Sequence, residues 1–198
     1  MEPPRLSPVR LTGRRVCLVP MEEAHVDALW DVARDGELWR ESGAVWRGRD
    51  DAARYVATAL EWAAHGEALP FVTTLTADGA VVGSTRFAAF VPEHLRVEIG
   101  WTFLARRCQR AGINPEAKLL LLGHAFDTLG LRRVELKTDA QNATSRRAIL
   151  RLGAREEGTL RAHMITDTGR RRDTVYYSIL AEEWPEVRAG IEARLGAR

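Results

Sequence analysis

The residues from Gln109 to Lys118 have the types and spacing of a site for a phosphorylated ligand. Gly112 allows close approach of the backbone, Asn114 is a good helix N-cap, and Pro115 suits the first helical position. The first N–H groups of a helix lack internal acceptors and carry the positive end of its dipole, so they can bind a pyrophosphate. The sequence predicts a phosphate cradle at this helix start, with an ordinary capped connection as the alternative.

The charge around this segment is positive, although the chain as a whole carries only +2. Arg106, Arg107 and Arg110 lie in the interval from Glu98 to Glu116, which contains no acidic residue between its two ends. Arginine offers a planar set of donors that suits phosphate oxygens. This local field favours an anionic ligand without indicating nucleic acid, for which a global basic patch would be expected.

A second polar set follows about thirty residues later. Asn142 stands at an expected helix start directly after a strand, Ser145 lies one turn into that helix, and Gly153 ends it. Both sets follow strands, and the two helix starts are expected at the same side of the sheet. Together they predict one site, which neither would indicate alone.

The elements that must position these residues can be read from hydrophobic periodicity and turn signals. The helix after Gln109 connects two strands that should therefore run parallel, within a sheet that is otherwise antiparallel. The predicted order is a strand at 15–20, helices at 22–34 and 50–65, strands at 71–77 and 81–91 joined by Asp78-Gly79, a strand ending near Leu104, a helix at 115–129, a strand at 134–139, a helix at 142–152, strands at 154–166 and 171–180, and a helix at 182–195.

Composition limits the classes of protein to consider. A chain of 198 residues with 45% hydrophobic and 28% charged residues is expected to form one globular domain. The first ten residues lack the apolar segment of a signal peptide, and no apolar run approaches the roughly 20 residues of a membrane span, so a cytoplasmic protein is expected. Cys17, Cys108 and five scattered histidines show no metal-ligand spacing, and no metal is expected.

The two polar sets, in this order and separation, resemble the GCN5-related N-acetyltransferase (GNAT) superfamily. In that family a Gln/Arg-x-x-Gly-x-Gly/Ala loop binds the pyrophosphate of coenzyme A, and a later Asn-bearing helix flanks the pantetheine. The pattern Asn142-x-x-Ser145 with Gly153 looks most like the branch that includes the ribosomal-protein N-terminal acetyltransferases of the RimJ and RimL type.

This resemblance covers about residues 11–181 and implies a single α/β (α+β) domain. The expected architecture is a mixed, mostly antiparallel, twisted sheet of about seven strands with one splayed parallel pair and helices on both faces. Residues 182–198 are expected to form a C-terminal helix packed on the same domain.

The resemblance also implies a set of acetyl-CoA contacts. Gln109 and Gly112 match the first and fourth positions of the cradle, whereas Asn114 stands where the family has Gly or Ala. Pro115 removes a donor, so the cradle would use the amides of residues 109–114 and Glu116. The implied cofactor-binding residues are the strand segment Trp101, Thr102, Phe103 and Leu104, the cradle Gln109, Arg110, Ala111, Gly112, Ile113 and Asn114, the helix-start residues Asn142 and Ser145, and Arg107 and Arg147 near the 3′-phosphate and adenine.

Acetylation of an amine by a thioester needs a base for the ammonium proton and an acid for the leaving thiolate. Glu98 is the first candidate for the base because similar enzymes place a glutamate there; the alternative is a surface ion pair with Arg86 or Arg96. Ile149 stands where many relatives have a tyrosine acid, which leaves the Ser145 hydroxyl for that role. The alternative for Ser145 is a structural residue in the first turn of its helix.

Three further residue groups are weaker candidates for the site. His163, beside Met164, is a second candidate for the base, although a lone histidine on a strand is more often structural. Tyr176 and Tyr177 alternate faces, so only one can line a groove, and packing is the favoured role of both. Trp39 and Trp46, between the first two helices, form either a wall of the acceptor pocket or part of the core.

Three functions compete at this point. The leading one is an acetyl-CoA-dependent N-acetyltransferase that acts on a primary amine by direct attack in a ternary complex, with a protein N-terminus among the candidate acceptors. The second is acetylation of a small amine, and the third is a non-catalytic acyl-CoA-binding module. The expected partners are the amine acceptor and a second copy in a homodimer; membrane and nucleic-acid partners are not expected.

Overall fold

The computed structural model describes residues 3–41 and 43–197. Residues 1, 2, 42 and 198 lie outside this description, including the last residue of the predicted range 182–198 and one residue of the loop that carries Trp39 and Trp46. Among the described residues, no helix is both long enough and apolar enough to cross a membrane.

Eight strands and five α-helices are found in the described ranges. Helix α3 continues into one π-helical turn at His124–Thr128, and short 3-10 turns precede α1, α2, α3 and α5. The elements are β1 (Leu11–Thr12), β2 (Val16–Pro20), α1 (Val26–Ala33), α2 (Arg49–Ala64), β3 (Leu69–Leu75), β4 (Val81–Val91), β5 (Arg96–Leu104), α3 (Ile113–Gly123), β6 (Arg133–Asp139), α4 (Ala143–Leu152), β7 (Arg155–Ile165), β8 (Arg171–Leu180) and α5 (Trp184–Gly196).

The strands form one sheet in the order β1-β2-β3-β4-β5-β6-β8-β7. Every neighbouring pair is antiparallel except β5 and β6, which are joined through α3 and run parallel. The predicted mixed sheet is confirmed, with eight strands in place of about seven. The additional strand, β1, has two residues, too few to produce an alternating pattern in the sequence.

Helices cover both faces of the sheet. Ser84 and Thr85 are adjacent on β4 and point to opposite faces. The Ser84 hydroxyl lies 2.9 Å from the phenol of Tyr55 on α2, whereas the Thr85 hydroxyl accepts a hydrogen bond of 3.2 Å from Lys118 on α3. Helix α2 therefore lies over one face and α3 over the other.

The parallel pair separates shortly after it begins. Pairing joins residues 96–98 of β5 to residues 133–135 of β6, and this pairing ends at Glu98 and Glu135. Strand β5 then runs on to Leu104 and β6 to Asp139. Trp101, with a φ of 49°, lies where the register between β4 and β5 shifts. The predicted splayed pair is therefore present, and its opening lies beside a bulge in β5.

Helix α5 packs against α3 and α4 and buries Trp184, Val187 and Ile191. Its amphipathic character is weak in the sequence, but Trp184 also donates a 3.0 Å hydrogen bond to Asp127 at the end of the π-helical turn. The C-terminal helix thus supports the two helices whose starts carry the predicted ligand contacts. The boundary between 11–181 and 182–198 stays a prediction.

Candidate functional site

The helix that follows the predicted cradle begins two residues earlier than expected. Gly112 is the N-cap of α3 with a φ of 83°, and Asn114 and Pro115 are its second and third residues. The prediction that Asn114 caps this helix and that Pro115 opens it is wrong. Gly112 adopts a left-handed conformation that favours glycine, and this conformation already turns the chain into the helix.

The start of α3 offers backbone donors with no capping side chain among the described residues. The N–H groups of Gly112, Ile113 and Asn114 belong to the first turn, where helical N–H groups have no internal acceptor. Glu116 N donates to Gly112 O at 3.1 Å, so this amide belongs to the helix and does not extend the cradle as expected. Pro115 has no donor. The cradle therefore has fewer free backbone N–H donors than the family resemblance implies.

The acidic side chain in this first turn is directed away from the cradle. Glu116 is 5% exposed; its Oε1 accepts from Arg14 N at 2.7 Å and its Oε2 from Arg15 N at 2.9 Å. A Cβ on Gly13 would lie 2.9 Å from Glu116 Oε1, so the turn between β1 and β2 must pass close to this carboxylate. Glu116 thus fastens the N-terminal hairpin to α3.

The other predicted cradle residues lie in the connection from β5 to α3. Gln109 Nε2 donates to Leu104 O at 3.1 Å, which fixes the loop to the end of the strand. Ala111 is exposed and Ile113 is buried in the core. The three predicted phosphate-binding arginines are all exposed on the surface; they are Arg107, Arg110 and Arg147.

The strand segment Trp101–Leu104 lies beyond the last paired residues of β5 and β6. Phe103 and Leu104 are buried, whereas Thr102 is exposed. Backbone groups in this segment face a partner strand only on the β4 side, through pairs such as Phe103 with Ser84. This is the position expected for an extended ligand that hydrogen-bonds as a substitute strand.

A buried lysine lies next to this segment. Lys118 is 5% exposed, and its Nζ donates to Thr102 Oγ1 at 2.7 Å and to Thr85 Oγ1 at 3.2 Å. Burial lowers the pKa of Lys118 to about 7, because desolvation disfavours the charged form. Lysine 118 therefore brings an amine that is half protonated near neutral pH to the underside of the β5 bulge.

Glu98 is the last residue of β5 before the strands separate. Its side chain is almost fully buried, and its Oε2 forms an ion pair of 2.9 Å with Lys137 Nζ on β6. Burial raises the pKa of Glu98, and the neighbouring Lys137 opposes that shift. The expected alternative partners are wrong, since Arg96 pairs with Glu135 at 3.3 Å and Arg86 lies among aromatic rings.

Gly100 leaves room for the Glu98 carboxylate. A Cβ at Gly100 would lie 2.8 Å from Glu98 Oε1, so any side chain there would displace the carboxylate. Beyond it, the Trp101 ring lies between two cations: Lys137 Nζ is 5.6 Å and Arg86 Cζ 5.3 Å from its centroid. The bulge thus places an indole within cation–π distance of both Lys137, the partner of Glu98, and the buried Arg86.

The start of α4 is closed by two side chains. Asn142 is the N-cap, as predicted, and its Oδ1 accepts from Ser145 N at 2.8 Å. Glu41, from the loop between α1 and α2, accepts from Thr144 N and from Thr144 Oγ1, each at 3.1 Å. Asn142 therefore caps α4 through its side chain, whereas Ser145 takes part only through its backbone N–H. The roles of both side chains in catalysis or ligand binding stay predictions.

The two tryptophans before α2 pack against the core and line cavities, and a role in an acceptor pocket stays a prediction. Trp39 and Trp46 stack at 5.2 Å, and both contact the Phe103 ring, at 5.3 and 5.5 Å. Trp46 also lines a cavity of about 410 Å³ on the α2 face of the sheet, and Trp39 lines a neighbouring cavity of about 430 Å³. They are core residues that also form cavity walls.

The remaining candidates lie on β7 and β8. Tyr177 is fully buried, and its hydroxyl accepts from Arg146 Nε at 3.1 Å. The Tyr176 ring is 5.9 Å from Lys137 Nζ and 5.9 Å from the exposed His163 ring. Tyr176 therefore reaches the Glu98–Lys137 pair, whereas His163 contacts it only through this ring.

Sequence reasoning missed the cationic partners of the site. Lys118 interrupts an otherwise apolar helix body of residues 117–122, and that interruption was a usable signal. Lys137 could not be chosen from the alternating charges of β6, because its partner depends on the register between β5 and β6. The sequence suggests Arg86 only as an ion-pair partner of Glu98 and gives no sign of its aromatic surroundings.

Comparisons with known proteins agree with this geometry. A family profile described as the acetyltransferase (GNAT) domain matches residues 15–155. A GCN5-related N-acetyltransferase from Brucella melitensis has 29% identity, with a TM-score of 0.88, over 98% of this chain and 89% of that one. RimJ of Mycobacterium smegmatis, solved in complex with CoA-disulfide, has 25% identity, with a TM-score of 0.78, over 97% of this chain and 95% of that one.

Two relatives from Bacillus subtilis (strain 168) match shorter segments. The uncharacterized N-acetyltransferase YoaA is 32% identical over 50% of this chain and 55% of its own length. YdaF, whose name provisionally describes a ribosomal N-acetyltransferase, is 33% identical over 54% of this chain and 57% of its own length. The chain thus matches little more than half of each of these relatives. From the domain match and the shared fold, this chain belongs to the GNAT acetyltransferase family.

Proposed function

We propose that this protein transfers the acetyl group of acetyl-CoA to a primary amine, by direct attack within a ternary complex. The observation that carries the proposal is the position of Glu98: a buried carboxylate at the point where β5 and β6 separate. The loop that follows this strand contains Gln109 and leads to the start of α3, which has no capping side chain among the described residues. Strand β5 and the loop after it thus connect Glu98, the proposed base, to the start of α3, the proposed anion site.

The described residues fit coenzyme A. The amides of Gly112, Ile113 and Asn114 would bind the pyrophosphate, and the unpaired side of Trp101–Leu104 would bind the pantetheine. When bound, acetyl-CoA supplies an activated acetyl group. The CoA-disulfide complex of Mycobacterium smegmatis RimJ supports a ligand of this type.

Glu98 would remove the proton from the acceptor ammonium. Its buried position raises the pKa of the carboxyl, which makes it a stronger base than an exposed glutamate. Lys137 keeps the carboxylate charged and oriented through their 2.9 Å ion pair. Ser145, half-buried in the first turn of α4, would provide a hydroxyl for the leaving thiolate, since Ile149 replaces the tyrosine of many relatives.

Two classes of acceptor remain open, a protein N-terminus and a small amine. The RimJ relative and the provisional name of YdaF favour a protein N-terminus. Trp46 and Tyr55 on the α2 face, where the acceptor would enter, line a cavity of about 410 Å³, large enough for a small molecule or one or two peptide residues.

The test is acetyl-CoA turnover with a panel of amines and N-terminal peptides, measured for the native protein, Glu98→Gln and Glu135→Gln. Glu135 is the matched control, because it pairs with Glu98 in the parallel register and carries the same charge. We expect Glu98→Gln to lower kcat by about a hundredfold or more and Glu135→Gln to change it by only a few fold. Acetyl-CoA affinity should be similar in all three proteins.

A different result would identify the third function considered above. If calorimetry shows tight binding of acetyl-CoA, but no amine in the panel leads to thiol release by the native protein, the protein is an acyl-CoA-binding module. Equal kcat values for Glu98→Gln and the native protein would remove Glu98 from the role of base.

A further inference from the structure

Arg86 on β4 is a buried cation with unpaired hydrogen-bond donors. It is 1% exposed, and its Nε and Nη2 are buried without a hydrogen-bond acceptor among the residues that the structure describes. Arginine remains charged in proteins. A buried charge is normally paired, because desolvation without compensation is costly. The position of Arg86 therefore needs an explanation.

Three aromatic rings surround this guanidinium. Its Cζ lies 4.5 Å from the Tyr55 centroid, 5.3 Å from Trp101 and 5.6 Å from Trp62. Tyr55 is itself fixed, since its hydroxyl donates to Trp101 O at 3.0 Å. Cation–π contacts offset part of the cost of burial. They orient the guanidinium but do not use its N–H groups as hydrogen-bond donors to oxygen.

Arg86 lines the cavity on the α2 face, and the two acids of that cavity are already engaged. Asp51 pairs with Arg54 and accepts from the amides of Arg47 and Gly48, and Asp167 accepts from Val45 N at 2.9 Å.

The described lining thus contains three arginines and two aspartates, a net charge of +1, and Arg86 is the buried arginine of the three. This charge matches a monoanion.

The cavity is connected to Glu98. Arg86 pairs with Gly100, and Ala88 pairs with Glu98, in the antiparallel register of β4 and β5. Arg86 and Glu98 are therefore diagonal neighbours on one face of the sheet, with backbones about 7–8 Å apart. Gly100 places no side chain between them. A compact molecule could reach both groups.

We infer that the acceptor amine carries a carboxylate on the same molecule, and that Arg86 binds this carboxylate through its open donors. This inference rests on the proposed acetyl transfer and specifies its substrate class. The carboxylate could be the terminal group of an amino acid or an acidic side chain next to a peptide N-terminus. In either case the amine points towards Glu98 while the carboxylate enters the aromatic cage.

The experiment compares acceptors that differ only in this group. One arm uses amino acids against their amides, including glycine, β-alanine and 4-aminobutanoate. The other arm uses C-terminally amidated peptides that begin Ser-Glu against those that begin Ser-Gln. We expect the native protein to prefer the carboxylate member by about tenfold or more in kcat/KM in one of the two arms, which identifies the source of the group.

Variants locate the preference at Arg86. Arg86→Met keeps a long unbranched side chain and should reduce the ratio of acid to amide to near one, and Arg86→Lys should give an intermediate ratio because it lacks the planar fork. Arg54→Met is the control: it removes one charge from the same cavity, but from a side chain that is 71% exposed and paired with Asp51. It should retain the native ratio.

A binding measurement separates this inference from the proposed function. Trp46, Trp62 and Trp101 line the cavity, so tryptophan fluorescence can report binding of the same amino acids and peptides without acetyl-CoA. We expect saturable quenching by the preferred carboxylate in the native protein and in Arg54→Met, and a loss of affinity of about tenfold or more in Arg86→Met.

The failures are distinguishable. If amines are acetylated but acid and amide members behave alike in both arms, Arg86 does not select a carboxylate and the proposed function stands. If no amine is acetylated but carboxylates still bind in an Arg86-dependent way, the anion site stands and acetyl transfer fails. Equal binding of acid and amide by the native protein overturns the inference. Thermal melting of each variant confirms that it is folded.

Discussion

Helices α3 and α4 begin beside the two strands of the splayed pair, yet their starts are built differently. Helix α3 begins at Gly112 without a capping side chain in the described structure, and its one acid in the first turn, Glu116, faces the β1–β2 turn. Helix α4 begins at Asn142, whose side chain accepts from Ser145 N, and Glu41 accepts from Thr144 N.

We expect this difference to separate coenzyme binding from fold stability. The amides at the start of α3 would bind a phosphate without displacing a capping side chain. At the start of α4, the backbone N–H groups of Thr144 and Ser145 already donate to protein side chains, one of which is the carboxylate of Glu41. We therefore expect mutations at the N-cap of α3 to change mainly coenzyme affinity and those at the N-cap of α4 to change mainly stability.

The largest effect on acetyl-CoA affinity is expected for Gly112→Glu. The new side chain brings a negative charge to the α3 start, and it must adopt a φ of 83° that L residues rarely take. We expect acetyl-CoA affinity to fall by about a hundred- to a thousandfold in calorimetric titration. Gly79→Glu is the control, since Gly79 has a similar φ of 72° in the β3–β4 turn. Similar affinity in the two variants would refute the cradle.

The Lys118→Met variant tests, through the pH dependence of stability, whether the buried lysine of α3 is a cost to folding when it is charged. The folded pKa is about 7, against 10.5 for the ordinary group. Between these values the unfolded chain holds a proton that the folded chain has released, so stability rises with pH over this range. Below pH 7 both states are protonated and the folded state bears the full cost of the buried charge.

Lys118→Met should therefore raise the free energy of unfolding by about 1–3 kcal/mol at pH 6, and the gain should shrink as the pH approaches 10.5. The hydroxyls of Thr85 and Thr102 lie 2.8 Å apart and stay paired without the lysine. Urea unfolding at pH 6 and 9.5 measures the effect. A gain that is equal at both pH values would show that Lys118 is not buried as a charge.

The smallest effect is expected for Asn142→Ala. Loss of the N-cap should lower the free energy of unfolding by about 1 kcal/mol, because the Glu41 contact to Thr144 remains. Acetyl-CoA affinity should change by less than about threefold. A loss of affinity above about tenfold, with little change in thermal stability, would instead give Asn142 the pantetheine contact that the family resemblance implies.

The two helix starts also show where sequence reasoning succeeds. The Asn142 cap was predictable because an N-cap, its helix and its terminal Gly153 are adjacent in the chain. The hairpin at Asp78-Gly79 and the parallel β5–β6 pair were predictable for the same reason, since a turn signal and a helical crossover are local features. The fold could be predicted except for the short strand β1.

The contacts that decide the site are long-range. The conformation of Gly112 places the N-cap of α3 two residues before the expected Asn114, because the local signals for a cap compete there. The Glu98–Lys137 pair depends on the register between strands 39 residues apart in sequence, and the Arg86 cage depends on a bulge at Trp101. Such partners follow from the folded sheet and leave only weak signals in the sequence.

The hydrogen bonds of Glu116 connect the β1–β2 turn to the helix start that is proposed to bind the coenzyme. The two amides that it accepts from, Arg14 and Arg15, lie about a hundred residues away in sequence. Coupling between two sites is reciprocal, so if a ligand at the first turn of α3 stabilises these hydrogen bonds, it would also stabilise the N-terminal hairpin. An extension or deletion near residue 14 would thus act as a remote effector, altering coenzyme affinity without touching the ligand.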